Sequence, residues 1–411
     1  MKAIPRGRIY HTLWQSALYS LQTLFSELEN QKIIELFEIH MADYCNQKFG
    51  VCFPKARTAV FYYLKSLKLE AGSKILMPPI TIKGMLDVVI NLGLTPIYLD
   101  LDRNTLLPSL VDVEEIVAAH DIRAALLTPL FGIGSNIKEI GNCLRNNGIN
   151  VIIDFSQCMN CEYEGNKINT YGDISVYSAS SIKTIDTLGG GVLLTNEETV
   201  YVKMKESQQR LRSCSRIELL KKALQNLLRN FLTSRVVFDL ITWKLLNLYR
   251  GINPEATLRM TGTRSTNPIV RLPNHWFCKY TSLQAKIGIE QIKKVKREDK
   301  KRVEIAMRIR RAIDKYVPNT SPNSKSVYWQ LVLYTSNTET MQKHLKRSNI
   351  DCCATSLSLI SSLDNYPNRT KLPIAEQIYY SSLFVPCYPS LAKSDTDAII
   401  ESLKAFYKVT I

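Results

Sequence analysis

Two side chains in the middle of the chain have the types and the spacing for carbonyl–amine chemistry. Asp154 closes the apolar run of NVIIDFSQC, with Gln157 one short turn later, and Lys183 follows the next apolar run in GDISVYSASSIKTIDTLGGGVLLTN. A lysine side chain, with an ordinary pKa of about 10.4, is a poor nucleophile at neutral pH; burial disfavours the charged form and releases the amine. Ser178, Ser180 and Ser181 ahead of Lys183 supply hydroxyl donors, and Gly189, Gly190 and Gly191 behind it let backbone approach a bulky ring. An acid at one strand end and a lysine at the next are the pair that pyridoxal phosphate (PLP) chemistry needs. The amine bonds to the cofactor's aldehyde carbon, and the carboxylate pairs with the protonated pyridine nitrogen, keeping the ring an electron sink. The plain alternative is a lysine at a loop edge with glycines serving a tight turn, and these residues alone leave both readings open.

The surrounding elements must hold those groups at strand ends. Between residues 50 and 200, short apolar runs recur with helical stretches between them: KILMPP, TPIYLDLD, RAALLTPLFG, NVIIDFSQ, DISVYSAS and GVLLTN. Rich in Val, Ile and Leu without strict alternation, they predict strands buried on both faces. TAVFYYLKSLKL and NIKEIGNCLRNNG have helical spacing and serve as crossovers, so the pattern predicts an α/β fold with a mostly parallel sheet. In such sheets ligands sit beyond the carboxyl ends of the strands, which is where Asp154 and Lys183 fall. Residues 203–250 read as a basic helical stretch, followed by a looser piece with Pro254, Pro268 and Pro273. TSLQAKIGIEQIKKVKREDKKRVEIAMRIRRAI reads as one or two long helices with Ile305, Ile309 and Ile313 at i+4 spacing, and the last hundred residues mix strand and helix signals. The expected division is an N-terminal helical segment over 1–45, a large domain over 46–285 carrying the extra basic segment at about 203–265, and a small α+β domain over 286–411.

Composition bounds the class. A chain of 411 residues, 45% hydrophobic and 22% charged, is ordinary globular material, and a net charge of +16 favours anionic partners without choosing among phosphates, lipid headgroups and nucleic acid. The opening MKAIPRGRIYHTLWQS lacks a signal-peptide core, and no uncharged apolar run approaches the roughly 18 residues of a membrane span. Ten unevenly spaced cysteines fit a reducing compartment, so a cytoplasmic protein is expected.

Three patterns point elsewhere. Gly132 and Gly134 precede a helix, with Asp154 twenty positions on, but a dinucleotide fingerprint would need a third glycine where Ile137 stands. Cys158 and Cys161 form a single C-x-x-C without two further ligands at zinc spacing, which reads as small apolar filling; no metal is expected. The basic run KKVKREDKKRVEIAMRIRR contains Glu298, Asp299 and Glu304, has Asp314 beside it, and carries no aromatic stacking platforms; it reads as a solvated interdomain helix and not as a nucleic-acid surface.

NVIIDFSQC followed by GDISVYSASSIKTIDTLGGGVLLTN resembles the core of the DegT/DnrJ/StrS family of PLP-dependent sugar aminotransferases. FPKARTAVFYYLKSLKLEAGSKILMPP, TSLQAKIGIEQIKKV and LFVPCYPSLAKSDTDAIIESL resemble further family segments in the right order. The resemblance implies the aspartate-aminotransferase-like fold (PLP fold type I) with a seven-stranded sheet, and a homodimer with its active site at the interface. It also implies transfer of an amino group from glutamate or glutamine to a nucleotide-linked keto sugar, in polysaccharide or glycoconjugate synthesis. On it, Lys183 is the catalytic lysine, Asp154 holds the pyridinium, Gln157 meets the ring's phenolic oxygen, Ser178 contacts the phosphate, and Arg57 and Thr58 form the phosphate cradle. Ile82 stands where the family often has a ring-stacking aromatic, Ala56 where it has a glycine, and Phe277 where it has an asparagine reaching the partner's phosphate. These departures keep two other readings in play, a PLP enzyme acting on a different carbonyl substrate and a catalytically silent membrane-associated relative. The extra segment has an apolar stripe of Leu220, Leu224, Leu227 and Phe231 with Lys221, Lys222 and Arg229 away from it. It is expected either to pack on its own dimer or over the site, or to lie on a membrane through 203–250 as an interfacial helix.

Overall fold

The computed structural model describes residues 2–252 and 267–409, so Pro254, with the first part of the looser piece and the end of the expected extra segment at 253–265, lies outside the described residues. Seven strands build the main sheet: β1 (Phe49–Phe53), β2 (Lys74–Met77), β3 (Thr95–Tyr98), β4 (Ile122–Leu127), β5 (Asn150–Asp154), β6 (Ile174–Ser178) and β7 (Gly191–Thr195). Their order is β1-β7-β6-β5-β4-β2-β3. β2, β3, β4, β5 and β6 run parallel, whereas β7 is antiparallel to both of its neighbours. The six apolar runs are all strands of this sheet, and β1, within FGVCF, is the edge strand they did not include.

The non-alternating composition has a direct structural cause. Successive side chains of a strand point to opposite faces, and here each face meets a helix layer. Leu126, Ile152 and Leu193 enter one apolar cluster while their neighbours Ala125, Val151, Ile153, Val192 and Leu194 enter the other. Both faces therefore select apolar residues, as in sheets covered on both sides. The crossover runs form the helices Ala56–Ser66 and Ile137–Asn146.

A single helix, Ser282–Ala312, links the large and small parts of the molecule. Thr281 and Gln284 close its N-terminus as a reciprocal capping box. Its early residues Ala285 and Val295 join the core beside the sheet; Ala306, Ile309 and the following Ile313 join the core of the C-terminal part. The expected boundary at 285/286 thus falls inside one continuous helix. The C-terminal part has a three-stranded antiparallel sheet, Leu331–Tyr334 and Cys353–Ala354 flanking Ser382–Val385, covered by the helices Thr338–Arg347 and Lys393–Val409. Ser358–Leu359 pairs with Ile80–Thr81, which ties this part to the loop after β2.

The basic stretch is helical over Glu198–Gln209, Arg216–Leu232 and Trp243–Ile252, with a π-turn at Phe238–Thr242. The helix Arg216–Leu232 buries Leu219, Ala223, Asn226 and Asn230, packing on the N-terminal helix Leu13–Phe25. The stripe singled out in the sequence is not the packed face: Leu224 and Phe231 are each nearly half exposed, and the buried row lies one position earlier, at Leu219, Ala223, Asn226 and Asn230. Among the described residues no helix is long and apolar enough to cross a membrane.

Candidate active site

β5 and β6 are parallel neighbours, with Asp154 opposite Val176, so Asp154 and Ser178 emerge at the same edge of the sheet. Asp154 is buried, and burial pushes its carboxyl pKa up while bonds from Ser156 and the positive charges of Lys183 and Arg57 pull it down. The Ser156 backbone N–H donates to Asp154 Oδ1 at 3.0 Å. A carboxylate in this position is best satisfied by a cation bearing an N–H, which a protonated pyridine ring provides.

Lys183 stands in the loop after β6, with its ammonium 3.6 Å from the ring centre of Trp329. Burial lowers its pKa to about 8, opposed by the nearby Asp154 carboxylate. Among the described residues it has no hydrogen bond or ion pair through its amine. Lys83, which is buried, is by contrast fully engaged: its amine donates to Asp87 Oδ2 at 2.8 Å, the Asn267 carbonyl at 2.9 Å and the Tyr366 hydroxyl at 2.9 Å. The loop around Lys183 is conformationally unusual. Ile182, a β-branched residue, has φ +70° and Leu188 has φ +62°, both in the left-handed region. Gly190 has φ +128°, and a Cβ there would come within 2.4 Å of the Tyr280 ring.

The expected phosphate cradle is assembled in part. Gly191 lets β7 close on the start of the helix Ala56–Ser66, since a Cβ there would lie 2.2 Å from the Ala56 nitrogen. Lys55, the N-cap residue, makes no side-chain cap, leaving the helix's first N–H groups as natural anion donors. The Arg57 guanidinium stacks 4.6 Å above the Trp276 ring and has its pKa lowered to about 10 by burial, against the pull of Asp87 and Asp154. Lys55, with a pKa lowered to about 8 by burial and then by Lys222 and Arg57, adds to the positive field. Ser178 Oγ donates only to Ser180 Oγ, at 3.1 Å. The Thr58 hydroxyl, by contrast, donates to the Trp276 carbonyl at 2.7 Å, so it braces the cradle from outside. Three cations near uncapped helix N–H groups, together with the buried Asp154, fit a group that is anionic at one end and an N–H cation at the other.

Gln157 is buried, with Oε1 accepting from the Phe131 backbone N–H at 2.8 Å, which leaves its Nε2 as the free donor. Ile82 is the N-cap of the helix Lys83–Asn91 and is half-buried against the apolar core. Phe277 packs edge-on against Phe61 at 5.1 Å, an aromatic contact that replaces polar reach. Gly132 and Gly134 pack against residues 324–329: a Cβ on Gly132 would meet the Trp329 nitrogen at 2.3 Å. Cys158 and Cys161 are buried, with Cys158 Sγ 3.4 Å from the Pro129 carbonyl.

Sequence reading missed the polar frame that holds the lysine loop. Asp186 is fully buried; its Oδ1 accepts from the Leu188 N–H at 2.9 Å and its Oδ2 from Asn226 Nδ2 at 2.9 Å. Asn226 Oδ1 in turn accepts from Ser181, and His11 Nε2 meets the Asp186 carbonyl at 2.8 Å. On the far side, Arg302, fully buried, bonds Asp299, Tyr10, the Val327 carbonyl and Thr184, the residue after Lys183. Gln284 Nε2 donates to the Gly189 carbonyl at 2.8 Å. The i, i+3 spacing of Asp299 and Arg302 was the one local signal; the other contacts join residues far apart in the chain.

The family model of the DegT/DnrJ/EryC1/StrS aminotransferases matches residues 22–227 and 258–404. The chain belongs to this family. It is accordingly a PLP-dependent transaminase of the α/β fold described above. The spore coat polysaccharide biosynthesis protein SpsC of Bacillus subtilis is 22% identical over 91% of this chain and 90% of its own length. GDP-perosamine synthase of Escherichia coli O157:H7 is 27% identical, but over 41% of this chain and 46% of its own length, so this chain spans less than half of that relative. An aminotransferase structure from Psychrobacter cryohalolentis superposes with a TM-score of 0.74 at 20% identity, covering 97% of this chain and 98% of the other. The family match leaves out residues 228–257, within the extra segment.

Proposed function

We propose that the protein transfers an amino group from glutamate or glutamine to the ketone of a nucleotide-linked sugar, for polysaccharide or glycoconjugate synthesis, as a cytoplasmic homodimer with its active site at the interface. The observation that carries this reading is the unpaired amine of Lys183, with its lowered pKa, beside the buried carboxylate of Asp154 at adjacent strand ends. When bound, PLP supplies an electron sink for the carbon that loses its proton. Lys183 would hold the cofactor through its aldehyde carbon, and its Nζ would be the group that moves a proton at the reacting carbon. Asp154 keeps the ring nitrogen protonated, and its burial strengthens that pairing. Gln157 donates from Nε2 to the ring's phenolic oxygen. Arg57, the backbone N–H groups beginning at Ala56, and Ser178 hold the phosphate, while Thr58 fixes the helix start. Ile82 would offer the ring an aliphatic surface in place of an aromatic one.

The names of the relatives support the sugar acceptor: one acts in spore coat polysaccharide biosynthesis and another is a GDP-perosamine synthase. The positive field of Lys55, Arg57 and Lys222 suits a substrate diphosphate. The test is the visible spectrum of the purified protein with PLP, before and after glutamate or glutamine, followed by a panel of nucleotide-linked keto sugars. A visible band that the donor bleaches and a keto sugar restores is the expected result. A band that amino donors bleach and no keto sugar restores overturns the acceptor assignment while leaving the amine chemistry standing.

A further inference from the structure

Residues 228–249, which the family model leaves unmatched, present an apolar face that stays exposed among the described residues. Residues 228–249 are anchored from beneath. Phe238 and Trp243 are buried against Ala3, Asp239 accepts from the Ala3 N–H at 2.7 Å, and Arg235 bonds Asp395 at 2.5 Å and the Ala3 carbonyl at 3.1 Å. On the outer side, Leu240, Ile241, Leu245, Leu248 and Tyr249 are between 43% and 65% exposed, and Phe231 adds to them. Their spacing, i, i+1, i+5, i+8 and i+9, keeps two adjacent helical rows on one face. An isolated exposed leucine needs no explanation, but a contiguous row of this length marks a contact surface.

The charges on this face have one sign. The stretch contains Arg229, Arg235 and Lys244 against a single acid, Asp239, and that acid is turned inward to Ala3. The exposed charged side chains are Arg229 and Lys244, the latter within the Leu240–Leu248 row. A long lysine or arginine stem lies along apolar surface while its head reaches a polar phase. Two copies meeting through this face would bring like charges together in a protein of net charge +16.

We infer that residues 228–249 dock the protein on the surface of an anionic lipid bilayer, with the Leu240–Leu248 face in the headgroup layer and Arg229 and Lys244 on the lipid phosphates. On this reading the helix lies in the interface; among the described residues no helix is long and apolar enough to cross a membrane. This placement is independent of the identity of the amino acceptor.

The experiment is co-sedimentation of the full-length protein with vesicles of phosphatidylcholine alone or mixed with phosphatidylglycerol, at low and high salt, with molecular mass measured in parallel. The bound fraction should be about tenfold higher or more on the anionic vesicles at low salt and fall with salt. Leu240→Asp with Leu248→Asp should reduce binding to the neutral-vesicle level. Arg229→Glu with Lys244→Glu should remove the preference for anionic lipid while leaving the apolar face intact. Unchanged thermal unfolding shows that both variants fold. Equal binding to both vesicle types, no binding, or binding unaffected by the aspartates overturns the inference. A mass that falls in the aspartate variant without any vesicle effect assigns the face to a second copy instead.

Discussion

Lys83 is buried and Lys183 half-buried beside the same sheet, yet their surroundings give them opposite fates. Lys83 is clamped by a carboxylate, a carbonyl and a phenol, so its charge is neutralised and its amine has no freedom. Lys183 faces an indole ring and has only the through-space pull of Asp154, so its charge is poorly supported and its pKa falls to about 8. The difference teaches that burial does not make a lysine reactive; burial without a bonded partner does. The backbone is invested accordingly. Lys83 sits in the first turn of a regular helix, whereas Lys183 follows a left-handed isoleucine and needs buried polar braces on both sides.

The comparison breaks most sharply by deleting each amine. Lys183→Ala should lower transamination by about 10⁴-fold or more, the upper range for loss of a proton-transfer group with the added loss of its covalent role. It should abolish the visible band of the lysine-bound cofactor while leaving thermal stability close to wild type. Equal turnover in the variant and the wild type would remove Lys183 from the chemistry.

Lys83→Met should do the reverse. It strips the cation from Asp87, which retains the Ile269 N–H at 3.1 Å and the Tyr366 hydroxyl. Leaving that carboxylate buried and unpaired should cost about 3 kcal/mol or more in denaturant unfolding. The double variant Lys83→Met, Asp87→Leu should recover most of the loss, because an apolar pair of similar size replaces a buried ion pair at little cost. A single variant as stable as wild type would mean that the clamp contributes nothing.

Titration sharpens the contrast in solution. A base whose pKa is lowered on folding binds fewer protons when folded than when unfolded, between about pH 8 and its ordinary value of 10.5. The penalty of burying its ammonium is therefore complete below about pH 8 and is relieved as pH rises through that window. Addition to the cofactor's aldehyde needs the free amine, so the rate of PLP uptake by the apoprotein should climb through about pH 8 and level off above it. At about pH 6 it should be roughly 100-fold below the plateau, from the fraction of free amine. A rate still rising with unit slope at pH 10 would give Lys183 the pKa of a solvated lysine.

The sheet was legible because local composition carried it: two covered faces demand apolar residues at every strand position, and six of seven strands stood out for that reason. Asp154 and Lys183 were legible because strand ends are where side chains leave the sheet. Thr58 was read as part of the cradle, yet its hydroxyl closes on the Trp276 carbonyl, a contact between residues 218 positions apart that no local pattern announces. The same holds for Asp186, Asn226 and His11, whose meeting depends on tertiary packing. The helix Arg216–Leu232 shows how periodicity can mislead. Its larger residues form the obvious stripe, but close packing on the helix Leu13–Phe25 buries the row with Ala223, Asn226 and Asn230. Arg302 lay inside a run that reads as solvated; only Asp299, three residues earlier, is a local sign of its burial, and its bonds to Tyr10, Thr184 and the Val327 carbonyl come from tertiary packing.

The smallest effect concerns that hidden frame. Asn226 donates to Asp186 and accepts from Ser181, so it couples the extra helix to both sides of the Lys183 loop. Asn226→Ala removes both bonds and should cost about 1–3 kcal/mol of stability, the usual penalty for buried partners left unpaired. Asn226→Asp keeps the shape but replaces the donated N–H with a second carboxylate facing Asp186. It should be the more damaging of the two at neutral pH and should recover as acid protonates one of the pair. If the frame positions Lys183, both variants will also weaken PLP binding, and Asn226→Asp will regain affinity at the pH where it regains stability. Stability that falls while PLP affinity and its pH dependence stay at wild-type values would confine Asn226 to holding the helix.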